Sequence, residues 1–280
     1  MSPPLQLPPA FPQRVDAFAC DLDRTLIGED AQLRPRTIAA IARTHAAGIH
    51  VVVATGRMFR SVRPYLEQAG LSDPVVCYQG AAVVDPVSGT FLFHEPIPLE
   101  LGREAIALLQ DEGFPPNCYV NDELVVGHRT PYSDAYSTFQ HLPVHEVGDL
   151  LAWLEAPPTK LVAVAEPEEL ANLRETVGAR FHGSLHVTTS LPWLLELGHP
   201  AVSKGTGLRF VAERVGFALE RTVAFGDGEN DVELIEAAEY GIATENAHPA
   251  LRERADWVCP GADEEGVAAV LEAFLDAALD

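Results

Sequence analysis

The chain has 280 residues with a formal net charge of −22, and 47% of its residues are hydrophobic. This composition provides enough apolar material for a core and argues against disorder, and the length favours two domains over one. The acidity would repel phosphate backbones and anionic lipids. Because no run of Lys or Arg offsets it, we expect neither nucleic-acid nor membrane partners.

Residues 1–13 are rich in proline and lack the basic start and apolar stretch of a signal peptide, so they are predicted to be a disordered leader. No apolar run reaches the roughly 20 residues of a membrane-spanning helix. The four cysteines are Cys20, Cys77, Cys118 and Cys259. They form no C-x-x-C pair and three lie in or beside apolar runs, which is typical of reduced thiols in a cytoplasmic protein.

Strand and helix patterns alternate in the first part of the chain. The predicted elements are a strand at 15–20, a helix at 35–47, a strand at 49–54, a helix at 59–69 and a strand at 75–78. Residues 49–54 are mostly apolar and β-branched, which indicates a strand buried on both faces of a parallel sheet.

The same alternation returns near the end of the chain. It predicts a helix at 205–215, a strand at 222–225, a helix at 231–238, a strand at 240–243 and a helix at 265–278. Strands and helices that alternate at both ends indicate one doubly wound, Rossmann-like α/β core with a parallel sheet. We assign this core to residues 14–83 and 199–280.

The middle of the chain, residues 84–198, has a different pattern. A hairpin is predicted at 117–128 around Asn121-Asp122, strand-like alternation at 180–190, and helices at 99–111 and 168–177. Residues 131–158 receive no firm assignment. The core is therefore predicted to carry an inserted α+β domain.

Two carboxylates and a hydroxyl follow the first predicted strand, in the motif Asp21-Leu22-Asp23-Arg24-Thr25. Ligands bind at the carboxyl ends of strands in such sheets, which makes Asp21 and Asp23 candidates for chemistry. The alternative is that these side chains only form turn hydrogen bonds.

Two further motifs contain groups that can hold a phosphoryl group. Thr55-Gly56-Arg57 follows the strand at 49–54, where a hydroxyl and backbone N–H groups can bind phosphate oxygens, although Thr-Gly there is often just a turn. Lys204 begins a predicted helix and could neutralise a phosphate oxygen or an aspartate nucleophile, whereas a lone lysine is usually a solvated surface residue.

The fourth motif is Gly226-Asp227-Gly228-Glu229-Asn230-Asp231, directly after the strand at 222–225. Clustered hard oxygens at a strand end suit Mg²⁺, which prefers carboxylates, waters and phosphate. The alternative is a loop in which Asn230 and Asp231 cap the next helix.

These motifs, in this order and spacing, resemble the haloacid-dehalogenase-like hydrolases, specifically the Cof-type phosphatases with a large α/β cap. Segments 79–81, 245–247 and 254–257 are also similar to that family, and the resemblance extends from about residue 15 to the C-terminus. It implies a Mg²⁺-dependent phosphatase whose inserted domain is a cap that closes over the site.

The resemblance also implies residue roles. Asp21 would be the nucleophile and a Mg²⁺ ligand, Asp23 the general acid and base and a ligand through its carbonyl, and Asp227 the third protein ligand. Thr55 and Lys204 would bind the phosphoryl oxygens.

The remaining motif residues would support this site. Gly56 would contribute to phosphate binding, and Asn230 and Asp231 would orient the metal site or the lysine. Thr25 and Arg57 are further supporting candidates.

Two positions depart from the family pattern. Arg24 stands where these phosphatases usually have Gly, which restricts the turn and adds a charge near the site. Gln79 stands where Asn is common. Neither departure removes a catalytic group.

The sequence therefore predicts a phosphomonoesterase that acts on a small phosphorylated metabolite, most often a sugar phosphate in the family resembled, as a monomer or homodimer. The alternatives are a phosphosugar mutase, a dedicated phosphatase of the sucrose-phosphate or mannosyl-phosphoglycerate type, and a non-enzymatic phosphoacceptor or metal-binding module. Trp193, Tyr119, His128 and Arg129 are guesses for substrate contacts, and a structural or solvated role is the stronger interpretation of each.

Overall fold

The computed structural model describes residues 5–279. They form two compact units. The core unit comprises the residues up to Thr55, Arg63–Leu92 and the residues from Ser203 onward. The inserted unit comprises Gly56–Val62 and Phe93–Val202. The core unit thus retains residues 84–92, which we assigned to the insertion, because the chain there still belongs to a small sheet that begins at residue 75. Residues 56–62 and 199–202, assigned to the core, belong to the inserted unit.

The core unit contains alternating strands and helices. In chain order they are β1 (Ala17–Cys20), α1 (Pro35–Ala46), β2 (His50–Val53), α2 (Phe59–Ala69, whose first turn belongs to the inserted unit), β3 (Val75–Cys77), β4 (Ala82–Val84) and β5 (Phe91–His94, whose last two residues belong to the inserted unit). Five strands of the chain form one parallel sheet, and β3, β4 and β5 form a three-stranded sheet in that order.

The inserted unit comes next in the chain. Its elements are α3 (Leu99–Asp111), β6 (Asn117–Val120), β7 (Glu123–Val126), α4 (Pro131–Gln140), β8 (Val144–Glu146), α5 (Leu150–Trp153), β9 (Lys160–Val164), α6 (Pro167–Arg180), β10 (His186–Thr189) and β11 (Leu194–Gly198). The strands form a six-stranded sheet in the order β10-β11-β9-β6-β7-β8, in which only the β7–β8 pair is parallel.

The core unit is completed by the C-terminal part of the chain. Its elements are α7 (Lys204–Val215), β12 (Thr222–Gly226), α8 (Val232–Ala237), β13 (Tyr240–Thr244), α9 (Pro249–Arg252), β14 (Trp257–Cys259) and α10 (Gly266–Leu279). The parallel sheet has the order β14-β13-β12-β1-β2. The prediction of a parallel α/β core with an inserted α+β domain is confirmed.

The register of the parallel sheet aligns the carboxyl ends of its central strands. Cys20 at the end of β1 lies opposite Phe225 of β12 and Val53 of β2. All four residues of β1 and all five of β12 are buried, as expected for strands covered on both faces. Residues that follow these three strands therefore emerge beside one another.

The predicted hairpin is confirmed and its turn has a clear conformational basis. Asn121 and Asp122 have φ values of 53° and 58°, so both central residues occupy the left-handed region that a two-residue type I′ turn requires. Asn and Asp tolerate this region better than other non-glycine residues.

Three expectations are corrected. The strand-like pattern at 180–190 is a strand only over His186–Thr189, because Arg180 still belongs to helix α6 and residues 181–184 form a turn. Residues 131–158, left unassigned, contain α4, β8 and α5. Part of the predicted disordered leader is packed, since the buried ring of Phe11 lies 5.3 Å from that of Tyr240, whereas residues 1–4 lie outside the described range.

The four cysteines are buried and none forms a disulfide. Within residues 5–279, no helix has the length and apolar character needed to cross a membrane.

Candidate active site

Three predicted site residues lie one or two residues beyond the aligned strand ends. Asp21 follows β1, Asp227 follows β12, and Thr55 lies two residues beyond β2. The Asp21 N–H continues the strand pairing by donating to the Phe225 carbonyl at 3.0 Å. Asp21, Asp227 and Thr55 are all buried, so the parallel register brings polar groups to one edge of the sheet.

Lys204 is the cation of this site. It is the first residue of α7, whose N-cap Ser203 forms a capping box with Thr206. The Lys204 side chain is only 1% exposed, and its Nζ lies 2.5 Å from Asp21 Oδ1 and 2.5 Å from Asp231 Oδ1. The alternative of a solvated surface lysine is therefore wrong.

Asp231 links the lysine to the loop after β12. Its Oδ2 accepts hydrogen bonds from the N–H groups of Asp227 and Gly228 at 3.0 and 2.9 Å. A Cβ at Gly226 would lie 2.4 Å from the Asp231 Cβ, so this approach requires glycine. Asp231 thus orients both Lys204 and the backbone of Asp227.

Negative charge exceeds positive charge among these buried groups. Side-chain oxygens of Asp21, Asp227 and Asp231 lie within 4.8 Å of one another. Burial, followed by repulsion from Asp231, raises the pKa of Asp21 to about 7. Burial, followed by repulsion from Asp21, raises the pKa of Asp227 to about 8.

Lys204 relieves this repulsion only in part. Burial disfavours its ammonium form, but Asp21 and Asp231 outweigh that effect and raise its pKa above the ordinary value. Hard carboxylate oxygens with an excess of negative charge are the donors that a divalent cation such as Mg²⁺ requires. The residues present therefore fit a metal ion.

The predicted metal ligands and the three clustered carboxylates differ in one residue. Asp21 and Asp227 belong to both, whereas the third close carboxylate is Asp231 and not Asp23. Asp23 is half-buried, and its predicted contribution through the carbonyl stays a prediction. Thr25 in the same loop is buried, and its Oγ1 has no hydrogen-bond partner among residues 5–279.

The two departures from the family pattern both have left-handed backbones. Arg24 has a φ of 61°, so the loop keeps a conformation that glycine favours. Gln79, with a φ of 59°, accepts a hydrogen bond from Asn230 Nδ2 at 3.0 Å. In the next residue, Gly80, a Cβ would lie 1.9 Å from the Ser203 carbonyl oxygen, so only glycine allows this turn to pack beside Ser203.

Gly56 and Arg57 belong to the inserted unit. The Gly56 carbonyl accepts a hydrogen bond from Lys160 Nζ at 2.7 Å. Arg57 is buried, donates to Ser61 Oγ at 3.1 Å and lies 5.0 Å from the ring centre of Phe139. These contacts give Arg57 a structural role within its unit, and its supporting role in catalysis stays a prediction.

The four residues that were guessed to contact the substrate make other contacts in the structure. Tyr119 is buried and donates to the Tyr136 hydroxyl at 2.6 Å, and the ring of Trp193 packs against that of Tyr136. On the exposed surface, His128 Nδ1 lies 3.1 Å from Glu146 Oε1, and Arg129 forms an ion pair with Asp134. Their structural contacts agree with the stronger of the two interpretations.

Sequence reasoning missed the role of Asn246. Its Nδ2 donates to the Arg24 carbonyl at 2.8 Å, and its carbonyl accepts from Arg24 Nη2 at 3.1 Å. The two residues are 222 positions apart, so no local pattern could reveal the pairing.

The family described as haloacid dehalogenase-like hydrolase matches residues 18–271. The chain belongs to this family. The prediction that it is a phosphatase of the haloacid-dehalogenase-like type is confirmed.

Several members of the family are similar over nearly the whole chain. A 5-amino-6-(5-phospho-D-ribitylamino)uracil phosphatase of Bacillus subtilis is 28% identical, with 92% of this chain and 96% of the relative covered. A pyridoxal phosphate phosphatase of Escherichia coli is also 28% identical, over 86% of this chain and 92% of the relative. The structure of TM0651 from Thermotoga maritima has a TM-score of 0.80 at 29% identity and covers 92% of this chain and 97% of that one.

Proposed function

We propose that this haloacid dehalogenase-like hydrolase is a Mg²⁺-dependent phosphomonoesterase that acts on a small phosphorylated metabolite through an aspartyl-phosphate on Asp21. The observation that supports this best is the buried Lys204 ammonium, 2.5 Å from both Asp21 and Asp231, with Asp227 beside them. A carboxylate can attack a dianionic phosphate only where positive charge offsets the repulsion.

Asp21, Asp227 and the carbonyl of Asp23 would hold the metal ion. A bound Mg²⁺ neutralises charge on phosphoryl oxygens and helps to align the phosphate with the nucleophile. Lys204 fixes Asp21 through its Oδ1 and supplies a second positive charge, while Asp231 keeps the lysine in place. Thr55 would donate to a phosphoryl oxygen, and Gly56, next in the chain, is the further candidate for phosphate binding.

The reaction would proceed in two balanced steps. Asp21 attacks phosphorus and the phosphate–oxygen ester bond breaks, while Asp23 gives its proton to the leaving alkoxide. Asp23 then takes a proton from water, whose oxygen attacks phosphorus and releases inorganic phosphate and the free Asp21 carboxylate.

The substrate class rests on the relatives. Those with 28% identity act on a phosphoribitylaminouracil and on pyridoxal phosphate, both phosphate monoesters of small organic alcohols. We therefore propose a small phosphate monoester, and a sugar phosphate stays the finer prediction. A cytoplasmic location, a monomeric or homodimeric state and the lack of other partners also stay predictions.

The test is phosphate release from sugar phosphates, pyridoxal phosphate, nucleotides and p-nitrophenyl phosphate, with Mg²⁺ or EDTA. We expect Mg²⁺-dependent turnover that Asp21→Asn abolishes. Asp276→Asn, which removes an exposed carboxylate paired with Arg43, serves as the matched control and should retain full activity. Turnover that survives Asp21→Asn would contradict the mechanism.

The alternatives predict different products. A phosphosugar mutase would transfer the phosphoryl group to a second sugar with little free phosphate, and a phosphoacceptor would accumulate long-lived phospho-Asp21. With p-nitrophenyl phosphate, whose leaving group needs little help from a general acid, Asp23→Asn should slow mainly the second step, so acid-quenched protein should carry phosphate on Asp21 after one turnover.

A further inference from the structure

Arg24 occupies a position where the backbone conformation favours glycine. Its φ of 61° lies in the left-handed region, which a non-glycine residue adopts at a cost in free energy. Strained backbone conformations cluster at functional sites, so the conformation of Arg24 points to a role for its side chain. The side chain of Arg24 is 35% exposed, and Arg24 lies in the core unit.

The Arg24 guanidinium is held in place by Asn246. Arg24 and Asn246 exchange two hydrogen bonds, of 3.1 and 2.8 Å, and Asn246 Oδ1 in turn accepts from the Ala262 N–H at 3.1 Å. Both residues are therefore tied to backbone groups of separate loops. The guanidinium has a defined position and is not a mobile surface group.

That position is next to a proposed metal ligand. Arg24 Nη1 lies 3.4 Å from Asp227 Oδ2. The backbone of Asp227 is fixed, because its N–H donates to Asp231 Oδ2 and its carbonyl accepts from the His248 N–H at 2.7 Å. The short side chain on this fixed backbone would have to serve both the guanidinium and a metal ion.

The two nearby cations set the net charge that a metal ion would meet. Lys204 is within 2.5 Å of two of the three clustered carboxylates, and Arg24 is the cation nearest Asp227 among the ion pairs of this cluster. When the three carboxylates are ionised, as metal binding requires, both cations together leave one net negative charge, and without Arg24 two remain. The affinity of carboxylate sites for hard divalent cations depends on the charge of the ligands.

We propose that Arg24 is a built-in competitor of Mg²⁺ that holds Asp227 in the metal-free protein and lowers the affinity of the site for the ion. This inference rests on the proposed function, because it requires a Mg²⁺ site at Asp21 and Asp227. The competition raises the Mg²⁺ concentration that is needed to fill the site.

The test is isothermal titration of MgCl₂ into the full chain at low ionic strength, which does not depend on turnover. Arg24→Gln keeps most of the side-chain length without the charge, and Arg24→Gly removes charge and backbone strain together. We expect both to bind Mg²⁺ about 10-fold more tightly than wild type, equivalent to about 1.4 kcal/mol. The gain should shrink at high salt, because the guanidinium is partly exposed.

Two controls separate charge from strain. Arg34→Gln removes an exposed arginine that pairs with Asp30 at 2.9 Å, and Ala31→Gly relieves a left-handed φ of 53° without changing charge. Both should bind Mg²⁺ as wild type does. The rise in melting temperature on adding Mg²⁺ should follow the same order among the variants.

The two proposals fail in different ways. Equal or weaker Mg²⁺ binding by Arg24→Gln, with wild-type binding intact, overturns the role of Arg24 and leaves the proposed function standing. If neither wild type nor the variants bind Mg²⁺ and EDTA does not affect phosphate release, both proposals are wrong.

Discussion

The core unit and the inserted unit each bury a lysine against carboxylates, and these are the two lysines among the 19 basic residues of the chain. In the core unit, Lys204 contacts Asp21 and Asp231, and Asp227 completes a group of three acids around one ammonium. Burial, together with repulsion between these acids, raises the pKa of Asp21 to about 7.

In the inserted unit the buried lysine forms an ion pair with a buried carboxylate. Lys160 Nζ lies 2.8 Å from Glu196 Oε2 and donates to the Gly56 carbonyl at 2.7 Å. The other carboxylate oxygen of Glu196 accepts a hydrogen bond from the Ser190 hydroxyl. Both Lys160 and Glu196 are at most 3% exposed. The buried Lys160 ammonium therefore has a carboxylate partner, and additional hydrogen bonds accompany this buried ion pair.

The comparison shows that burial of a charged pair does not by itself indicate a functional site. An excess of one charge does, because only the unbalanced cluster gains from an ion or a phosphate that arrives from solution. Substitutions at the two lysines and their partners test this difference.

The largest expected effect is on turnover. Lys204→Met should lower kcat for p-nitrophenyl phosphate about 10³-fold, because it removes the ammonium that neutralises the nucleophile and the phosphate, equivalent to about 4 kcal/mol. Arg209→Met on the exposed side of α7 is the matched control and should leave kcat unchanged. A Lys204→Met protein that is folded and retains most of its kcat would refute the role of this lysine.

The next effect is on stability. Lys160→Met should reduce the free energy of unfolding by about 3 kcal/mol, because it removes the ammonium that lies 2.8 Å from the buried Glu196 carboxylate. The double variant Lys160→Met/Glu196→Met should recover most of that loss, since it removes both charges together. Urea denaturation can be followed by fluorescence, because Trp153 and Trp193 lie in the inserted unit. Equal instability of the single and double variants would show that charge balance is not what matters there.

The sequence could predict the edge of the sheet at which the site lies. Asp21, Thr55 and Asp227 each follow a buried segment of the parallel sheet, and parallel strands end on one side. Lys204 was a candidate from its place at the start of a predicted helix, and its role in phosphoryl binding came from the resemblance. The rarity of lysine in this chain, compared with arginine, was a further signal, since both lysines prove to be buried.

The remaining contacts depend on residues far apart in the chain. Arg24 and Asn246 are 222 residues apart, and Lys160 and Gly56 are 104 apart, so no spacing rule connects them. The left-handed φ of Gln79 was equally invisible, because Gln has no local preference for that region. Such features arise from tertiary packing, which overrides local propensity.

The unbalanced cluster should also make metal-free stability depend on pH. The folded-state pKa of Asp227, about 8, lies above its usual value of 3.8, so its contribution is fully present below pH 4 and is lost as the pH rises through about 8. Asp227→Asn removes this titration. In EDTA, we expect the stability of wild type relative to Asp227→Asn to fall by about 2 kcal/mol between pH 6 and pH 8.

The control for this comparison is Asp276→Asn, whose carboxylate is exposed. Its difference from wild type should not vary with pH over the same range. Saturating Mg²⁺ at pH 8 should stabilise wild type but not Asp227→Asn, because binding to the folded state adds to its stability. A pH-independent difference between wild type and Asp227→Asn would contradict the raised pKa of Asp227.

The smallest effect concerns the ion pair of Lys160 and Glu196. Ser190→Ala removes one hydrogen bond to the Glu196 carboxylate but leaves its ion pair with Lys160, so we expect a loss of about 1 kcal/mol in the free energy of unfolding. In the Lys160→Met/Glu196→Met background, the same substitution should have almost no effect, because the acceptor is gone. A double-mutant cycle measured by urea denaturation gives this coupling directly. Equal losses in both backgrounds would mean that Ser190 stabilises the unit through packing and does not help to satisfy the buried charge.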